Sequence, residues 1–471
     1  MATSAVTNPV DFNGAVCRSL EEKGIRYCLM PGGRGESTEL ELAVSPLDRV
    51  RLPQVFIEMK ETGYQVVLCV EDRVGSERYH FASASASGVQ FITATVLSSC
   101  RGRGLRWERT DELLRRRERR GAYWMASAED EFRYLIARNS LEGNFPASRE
   151  QRLTNLLVEL GSEKADQITA EVYGEKRKKE ALQACAAGRL GELQKKWRRE
   201  LRREVMRRQP GNQLLYSLRN GRRLLRRWRE PAGLFLAILG PDGAGKSTTI
   251  TKLGDALQPI FPERRAFHWR PFLITREPKL TKPVNQPHCE PVRGPLASLP
   301  YLITFFLDFT LGYWFLARPE LERNRLVIFD RYFHDILIDP LRYRYGGPNW
   351  LVRTLCWLVP PRSPLFLVLD ASADVIFLRK KDLTLPELQN QRKDYQQFAA
   401  EFRNSKLIDS SVSAEQTTAD ALRGVLNHLA ARFATRQASG STLATVETQA
   451  PTESTQSASV RGVYIARSND F

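Results

Sequence analysis

The sequence predicts an α/β protein of more than one domain, with a doubly wound parallel sheet in its C-terminal half. The chain has 471 residues, more than one ordinary hydrophobic core supports. Short apolar runs bounded by turn residues, such as LFLAIL at 234–239, are typical of buried parallel strands. Helical patterns alternate with these runs, and that alternation predicts the doubly wound sheet.

The N-terminal elements predict a small α/β domain. Alternation of polar and apolar residues indicates half-buried strands here. We predict helices at 11–24 and 47–62 and strands at 25–30, 38–44, 64–70, 77–81 and 89–96. Residues 111–172 are predicted to be mostly helical, and the whole domain is assigned to 10–172.

The C-terminal domain is assigned to 232–435. Predicted strands lie at 234–239, 265–269, 325–329, 365–369 and 406–408, and predicted helices at 246–257, 299–316, 373–380, 386–402 and 419–433. The remaining residues, 436–471, are rich in Ser, Thr, Ala and Gln. That composition predicts a disordered tail.

A basic helical linker is predicted at 173–231. The chain has 71 Lys and Arg against 54 Asp and Glu, and residues 176–230 alone contribute 19 against 5. Apolar residues at helical spacing, including Trp197 and Trp228, predict amphipathic helices at 181–206 and 214–228. Three interpretations stay open: a solvated linker, docking of 176–229 on an anionic membrane, and, favoured less, nucleic-acid binding.

One segment, 299–317, is apolar enough to resemble a membrane span. Asp308 lies in its middle, where a carboxylate in lipid is costly, so a buried core helix is favoured over a membrane-associated one. Seven scattered cysteines without a CxxC pair predict free thiols and no metal cluster. The first residues do not resemble a signal peptide. We expect a cytoplasmic protein, with peripheral contact at the inner membrane face as the alternative.

The most specific motif is GPDGAGKST, which fits G-x-x-x-x-G-K-[ST] between a predicted strand and a predicted helix. Glycines let successive N–H groups point at phosphate oxygens, and the helix N-terminus adds positive potential. We expect Lys246 to neutralise the outer phosphates of ATP and the Ser247 hydroxyl to bind Mg²⁺. The predicted nucleotide-binding residues are Gly240, Asp242, Gly243, Ala244, Gly245, Lys246, Ser247 and Thr248.

Asp330 and Arg331 follow the predicted strand 325–329. Ligands of open parallel sheets bind at the carboxyl ends of the strands, so Asp330 would face the same crevice as the loop and hold magnesium. Arg331 can bind a phosphate through two parallel N–H bonds. The alternative is a helix N-cap aspartate with a surface arginine. For Asp370, which ends 365–369, an N-cap is the favoured interpretation.

The loop, the Asp330-Arg331-Tyr332 triplet and a later arginine-rich helix together resemble a thymidylate kinase over about 234–433. The form G-x-D-G-x-G-K-S-T, with Asp242, is typical of that family. The resemblance implies that Arg331 contacts the acceptor's phosphate and that Asp242 lies near the acceptor's sugar and the magnesium. It also implies that Arg379 and Arg392 close over the transferring phosphate as lid arginines.

The resemblance implies further acceptor-binding residues. Arg270 best fits the family arginine that holds the acceptor phosphate, and Arg276 fits it second. Asp308 stands where the family commonly has a charged acceptor-binding residue, although an acid there departs from the expected arginine and weakens thymidylate as the substrate. The predicted acceptor-binding set is therefore Asp242, Arg270, Asp308 and Arg331.

The stretch DRYxxDxxxDPxRYRYGGP, at 330–348, resembles long two-part thymidylate kinase-like proteins of bacteria. Such proteins tend to occur with polysaccharide biosynthesis. Two interpretations of the charged residues in this stretch stay open: they shape an acceptor site, or they form salt bridges within a helix. These residues are Asp335, Asp339, Arg342 and Arg344.

The N-terminal domain resembles the nucleotidyltransferase fold. Pro31-Gly32-Gly33 precedes Glu39 and Glu41, two acids on alternate residues of a strand, which can share metal ions. That fold usually has aspartates and a third acid on a later strand, but the matching strand 89–96 has none. We therefore predict a relative without catalytic activity. Alternatively, both glutamates only solvate an exposed strand face.

The sequence thus predicts an ATP- and Mg²⁺-dependent phosphotransferase of the thymidylate kinase-like class, acting on a small phosphorylated or hydroxyl acceptor. The predicted catalytic residues are Lys246, Asp330, Arg331, Arg379 and Arg392, with Ser247 and Asp330 as metal ligands. Two other functions stay open. One is an ATP-binding regulatory or assembly module at the membrane in polysaccharide biosynthesis, and the other is a nucleic-acid end kinase.

Overall fold

The computed structural model describes residues 9–447 with internal gaps. It divides into two compact units, Met1–Leu225 with Arg432–Phe471, and Arg226–Ala431. Outside the described residues, besides 1–8 and 448–471, are 31–38, 86–87, 99–100, 103–104, 107–109, 143–146, 194–196, 198–199, 201–202, 204–209, 275–290, 362–363 and 381–382.

The first unit contains a seven-stranded mixed sheet in the order β3-β4-β5-β2-β1-β9-β8. Its strands match the predicted alternation closely, except that the short charged hairpin β8–β9 was not predicted. A separate two-stranded ribbon pairs β6 with β7. The strands are β1 Tyr27–Leu29, β2 Glu39–Val44, β3 Gln65–Arg73, β4 Ser76–Ser85, β5 Gly88–Leu97, β6 Arg101–Gly102, β7 Leu105–Arg106, β8 Glu118–Arg120 and β9 Tyr123–Met125.

Helices of the first unit pack apolar faces against this sheet and against each other. Trp197 is buried and its ring lies 5.9 Å from that of Tyr173, so this tryptophan is a core residue and cannot dock on lipid. The helices are α1 Pro9–Glu22, α2 Leu52–Glu58, α3 Thr110–Arg116, α4 Ala128–Glu142, α5 Ala147–Tyr173, α6 Glu175–Ala186 and α7 Pro210–Arg229, with 3₁₀ turns at Asp48–Arg51 and Met59–Thr62. The residues of α7 from Arg226 onward belong to the second unit.

The second unit contains a five-stranded sheet in the order β11-β12-β10-β13-β14, and all its described pairings are parallel. The predicted α/β class with a parallel sheet is confirmed. Continuous apolar runs form the central strands because both of their faces are buried. The strands are β10 Leu234–Leu239, β11 Arg264–His268, β12 Leu326–Asp330, β13 Leu365–Asp370 and β14 Ser405–Asp409.

The helices of the second unit surround these strands in sequence. The last one continues to Glu447, beyond residue 436, where the tail was predicted to begin. Its residues from Arg432 onward belong to the first unit. The helices are α8 Lys246–Ala256, α9 Pro295–Gly312, α10 Arg318–Glu322, α11 Asp335–Ile338, α12 Asn349–Leu358, α13 Ala373–Arg379, α14 Leu385–Glu401 and α15 Ala414–Glu447, with a π-helical turn at Tyr313–Ala317 between α9 and α10.

The apolar helix α9 has two different faces. Leu302, Phe305 and Phe309 pack into the core on the sheet, as the favoured core-helix interpretation expects. Ile303 and Leu307 on another side are exposed. Within the described residues, the continuous helical stretch Pro295–Glu322 is the one long and apolar enough to cross a membrane, and a third of its most apolar window is buried. Length and composition of this kind also occur in core helices of soluble proteins.

Candidate functional site

The predicted phosphate loop lies between β10 and α8, at the carboxyl edge of the parallel sheet. Three of its glycines have positive φ: Gly240 at 144°, Gly243 at 89° and Gly245 at 87°. L-residues with a side chain adopt such angles only with strain, so the glycines permit this backbone course. Lys246 begins the following helix, whose N-terminal amide groups favour an anion.

Gly240 has no space for a side chain. A Cβ atom there would lie 2.5 Å from the Leu369 carbonyl oxygen on β13. We expect Gly240→Ala to lower the free energy of unfolding by about 1–3 kcal/mol, because either the loop or β13 must shift. Urea unfolding measures this, with Gly424→Ala as control, since a Cβ there makes ordinary contacts at 3.8 Å in a helix. Equal stability of the two variants would contradict the close approach.

The Lys246 side chain bends back into the loop. Its Nζ donates to the carbonyl oxygens of Gly240 at 3.0 Å and Pro241 at 2.9 Å, and lies 3.4 Å from Asp242 Oδ1. Burial, with the nearby positive charge of Arg331, lowers the Lys246 pKa to about 8. Burial thus destabilises the charged form of the ammonium group, and a bound anion nearby would stabilise that form.

Asp242 is the centre of a cationic cluster. Arg331 Nη2 donates to its Oδ1 at 2.6 Å, Lys380 Nζ donates to its Oδ2 at 3.3 Å, and Arg342 contacts the same Oδ2. Lys246 completes the group. Burial opposes ionisation of this carboxyl, but the cations, led by Arg331, outweigh burial and hold its pKa far below the usual range. Four positive side chains thus share one carboxylate beside the loop.

Arg331 is buried rather than on the surface, so the surface-arginine alternative does not hold. Its Nη1 donates to Asp335 Oδ2 at 2.6 Å and to Tyr395 Oη at 2.9 Å. Its backbone is left-handed, with φ at 70°, and its N–H donates to the Ile238 carbonyl on β10. Backbone strain of this kind tends to occur at functional sites, where the surrounding structure holds a side chain in place.

Asp330 ends β12 and pairs in register with Ile238 of β10, just before the loop. Its Oδ2 lies 3.0 Å from His268 Nδ1, and its Oδ1 is buried without a hydrogen-bond partner among the described residues. Burial opposes ionisation, but the His268 contact and Lys246 lower the Asp330 pKa. An ionised, buried oxygen without a partner at this edge fits Mg²⁺ or one of its waters. Ser247, the second residue of α8, is exposed.

The two predicted lid arginines are both engaged by the protein. Arg379 Nη1 donates to the Ser410 carbonyl oxygen at 3.1 Å and approaches the Gly243 carbonyl oxygen at 3.5 Å. Arg392 binds Asp370 through two hydrogen bonds of 2.7 and 3.0 Å. The N-cap of α13 is Ser372, whose hydroxyl accepts from the Val375 N–H, so the N-cap role predicted for Asp370 is wrong.

On the predicted acceptor side, Asp308 is completely buried. Its Oδ1 accepts from the N–H groups of Leu273 at 2.6 Å and Ile274 at 3.0 Å, and its Oδ2 lies 3.6 Å from Arg270 Nε. The Arg270 guanidinium lies 4.7 Å from the centre of the Phe272 ring. This placement makes Asp308 a support for the turn at 270–274 and leaves no exposed carboxylate there. Arg276 lies outside the described residues.

Sequence reasoning did not assign Lys380 to the site and left Arg342 open. Both contact Asp242, and Arg342 also lies 3.4 Å from Asp339 Oδ2. The RYRYGGP stretch identified Arg342 as a possible acceptor-site residue. No motif identified Lys380, which only the fold brings close to Asp242. A cleft at this position is lined by Asp242, Arg342, Ile376, Lys380, Leu383, Leu388 and Gln391.

In the first unit, Glu41 is buried and contacts both Arg138 and Tyr134. Glu39 on the same strand is exposed, and β5 places Thr93 and Thr95 opposite the two acids. An arginine therefore takes the place beside Glu41 that a metal ion would need. The inactive nucleotidyltransferase relative stays a prediction, and the Pro31-Gly32-Gly33 turn lies outside the described residues.

No protein-family model matches this chain, and no curated protein sequence matches it either. Among solved structures, the chain is similar to thymidylate kinase from Ehrlichia chaffeensis, with 17% sequence identity and a TM-score of 0.30. That match covers 41% of this chain and 98% of the other. A likeness this distant does not by itself establish a shared fold or activity, so the function of the site depends on its own residues.

Proposed function

We propose that the second unit is an ATP-dependent phosphotransferase of the nucleoside monophosphate kinase-like class. The observation that supports this most is the cluster of Lys246, Arg331, Arg342 and Lys380 around Asp242, beside a glycine-rich loop. Arg331 also pairs with Asp335, and Arg342 with Asp339, so the four cations face three carboxylates and one positive charge remains in excess. Phosphate groups carry the charge and the acceptor oxygens that such a cluster binds.

Each residue has a role in this proposal. Lys246 and the loop N–H groups from Gly243 to Thr248 hold the donor phosphates, and Ser247 and Asp330 hold Mg²⁺. When bound, Mg²⁺ neutralises charge on the transferring phosphoryl oxygens. Arg331 and Arg342 bind the acceptor end of the transferred group. Arg379 and Arg392 reach the phosphate only after exchanging their present partners, which makes them residues of a closed state.

We propose a small molecule with a phosphate or a hydroxyl group as the acceptor, because the cations around Asp242 favour such groups. The test incubates the full chain with ATP, Mg²⁺ and a mixed pool of nucleoside monophosphates and sugars. Mass spectrometry then searches for an acceptor heavier by one phosphoryl group, formed with loss of ATP. ATP binding without any phosphorylated product would instead support the regulatory or assembly module.

ATP binding should weaken at alkaline pH. The Lys246 pKa lies at about 8 without ligand, and a bound triphosphate raises it, so binding takes up a proton above that pH. We expect roughly tenfold weaker affinity at about pH 9 than at about pH 7. Isothermal titration calorimetry in buffers of different ionisation enthalpy measures both affinity and proton uptake. Lys246→Arg, which keeps its charge, should remove the dependence, and a flat wild-type profile would contradict the assignment.

A further inference from the structure

The helix α7 carries an exposed apolar face. Apolar side chains at spacings of three, four and seven residues share one side of a helix, and Leu218, Leu225 and Trp228 follow that spacing. Large contiguous apolar patches on a protein surface mark interaction sites, whereas a linker that is only solvated would expose polar side chains. Six large apolar residues of α7 are between 48% and 63% exposed: Leu214, Leu215, Leu218, Leu224, Leu225 and Trp228.

The remaining surface of α7 is basic. The helix contains six arginines, and no Asp or Glu occurs between Pro210 and Arg229. Three exposed leucines each have an arginine four residues further on, which places a guanidinium group beside each leucine. Long arginine side chains can extend from an apolar surface to charged groups at its border. These pairs are Leu215 with Arg219, Leu218 with Arg222, and Leu225 with Arg229.

Contacts of Arg223, on the side of the helix opposite the leucines, set the orientation of this part of α7. Within the first unit, Arg223 Nη1 donates to the carbonyl oxygens of Glu71 at 3.1 Å and Asp72 at 2.8 Å. Arg223 lies about 140° to 180° around the helix from Leu214, Leu218 and Leu225. The apolar face is therefore directed away from the surface that Arg223 contacts.

Within the second unit, Trp228 at the end of α7 has exposed aromatic neighbours. The Arg318 guanidinium lies 5.9 Å from the ring centres of both Trp228 and Trp314. Trp314 is half-exposed and its neighbour Phe315 is mostly exposed, both in the π-helical turn after α9. Tryptophan rings beside arginine are common where a protein meets the headgroup level of a membrane.

We propose that α7 docks on an anionic membrane surface, with its leucines at the boundary between headgroups and acyl chains and its exposed arginines on the lipid phosphates. A helix with a wide apolar face and a strongly basic remainder has the composition that binds in this plane. Nucleic acid would use the arginines but leave the leucines in water. Pairing with a second copy of α7 would bring two sets of six arginines together, which repel each other.

Vesicle sedimentation tests the proposal with the full chain. We expect binding to vesicles of phosphatidylcholine with phosphatidylglycerol, little binding to phosphatidylcholine alone, and weaker binding at high salt. The variant Leu218→Glu with Leu225→Glu should lower the vesicle affinity at least about tenfold. The matched control is Leu47→Glu with Val158→Glu, which adds the same charge at two exposed apolar residues outside α7 and should bind as the wild type does.

A second variant keeps the test decisive if the leucine variant unfolds. Arg219, Arg222 and Arg229 are exposed, so replacing all three with Gln should leave thermal unfolding unchanged and reduce binding to the level of neutral vesicles. Wild-type binding by both variants would overturn the proposal. So would binding to DNA or RNA oligonucleotides without vesicle binding, or self-association in sedimentation velocity that the leucine variant abolishes while vesicles stay unbound.

Discussion

Replacing Lys246 with alanine should lower kcat/KM for ATP consumption about 10²–10³-fold. The ammonium group is buried inside the loop, held by the carbonyl oxygens of Gly240 and Pro241, and it is the charge nearest to where the outer phosphates would lie. A positive group fixed in a site without water contributes more to a charged transition state than the same group does in solution. Alanine removes that charge and the two hydrogen bonds together.

Lys252→Ala is the matched control for this measurement. Lys252 lies on the same helix α8, is partly exposed, and pairs with Glu415 at the surface, so its loss removes one positive charge without touching the loop. We expect its ATP consumption to stay within about twofold of the wild type. Circular dichroism would verify that both variants are folded. Wild-type ATP consumption by Lys246→Ala would contradict the assignment of the donor site to this loop.

Arg331→Ala should have the second largest effect, and it should act on stability as well as on activity. Asp335 is completely buried, and Arg331 is its cationic partner, with Tyr343 and Tyr395 donating hydrogen bonds at 2.9 and 2.8 Å. Removing one member of a buried ion pair costs about 3–5 kcal/mol, because the other charge stays without compensation. Urea unfolding of the variant measures that loss.

A double-mutant cycle separates the two effects of Arg331. Asp335→Asn removes the buried charge that Arg331 compensates, so Arg331→Ala in that background should cost much less stability than it does alone. Loss of acceptor phosphorylation, in contrast, should be equally large in both backgrounds. If activity recovers when stability does, then Arg331 only supports the fold, and its proposed role at the acceptor is contradicted.

The sequence predicted the scaffold of the candidate site better than its contacts. The bounds of β10 were predicted residue for residue, because an apolar run buried on both faces and ended by glycine leaves few alternatives. The motif GPDGAGKST predicted a turn between a strand and a helix, and residues 240–245 form that connection. The short hairpin β8–β9 was missed because its charged residues, such as Glu118, lack the alternation that indicates a strand.

Contacts between distant residues could not be predicted from spacing. Lys380 and Arg342 are separated from Asp242 by 138 and 100 positions, and only the fold brings them to the same carboxylate. The left-handed backbone of Arg331 is likewise imposed by the surrounding packing, since arginine has no preference for it. For Trp197 the sequence left membrane docking open, but the side chain is buried. An amphipathic pattern does not show whether the apolar side of a helix faces solvent or another helix.

The carboxylate of Asp242 lies among four positive side chains. Four neighbouring cations would spread apart if nothing negative lay between them. Asp242, from the loop itself, balances part of that charge and holds the four side chains together in the absence of a ligand. Under the proposed function, a phosphate would compete with that internal anion for the same cations, so it would bind less tightly than those cations alone would allow.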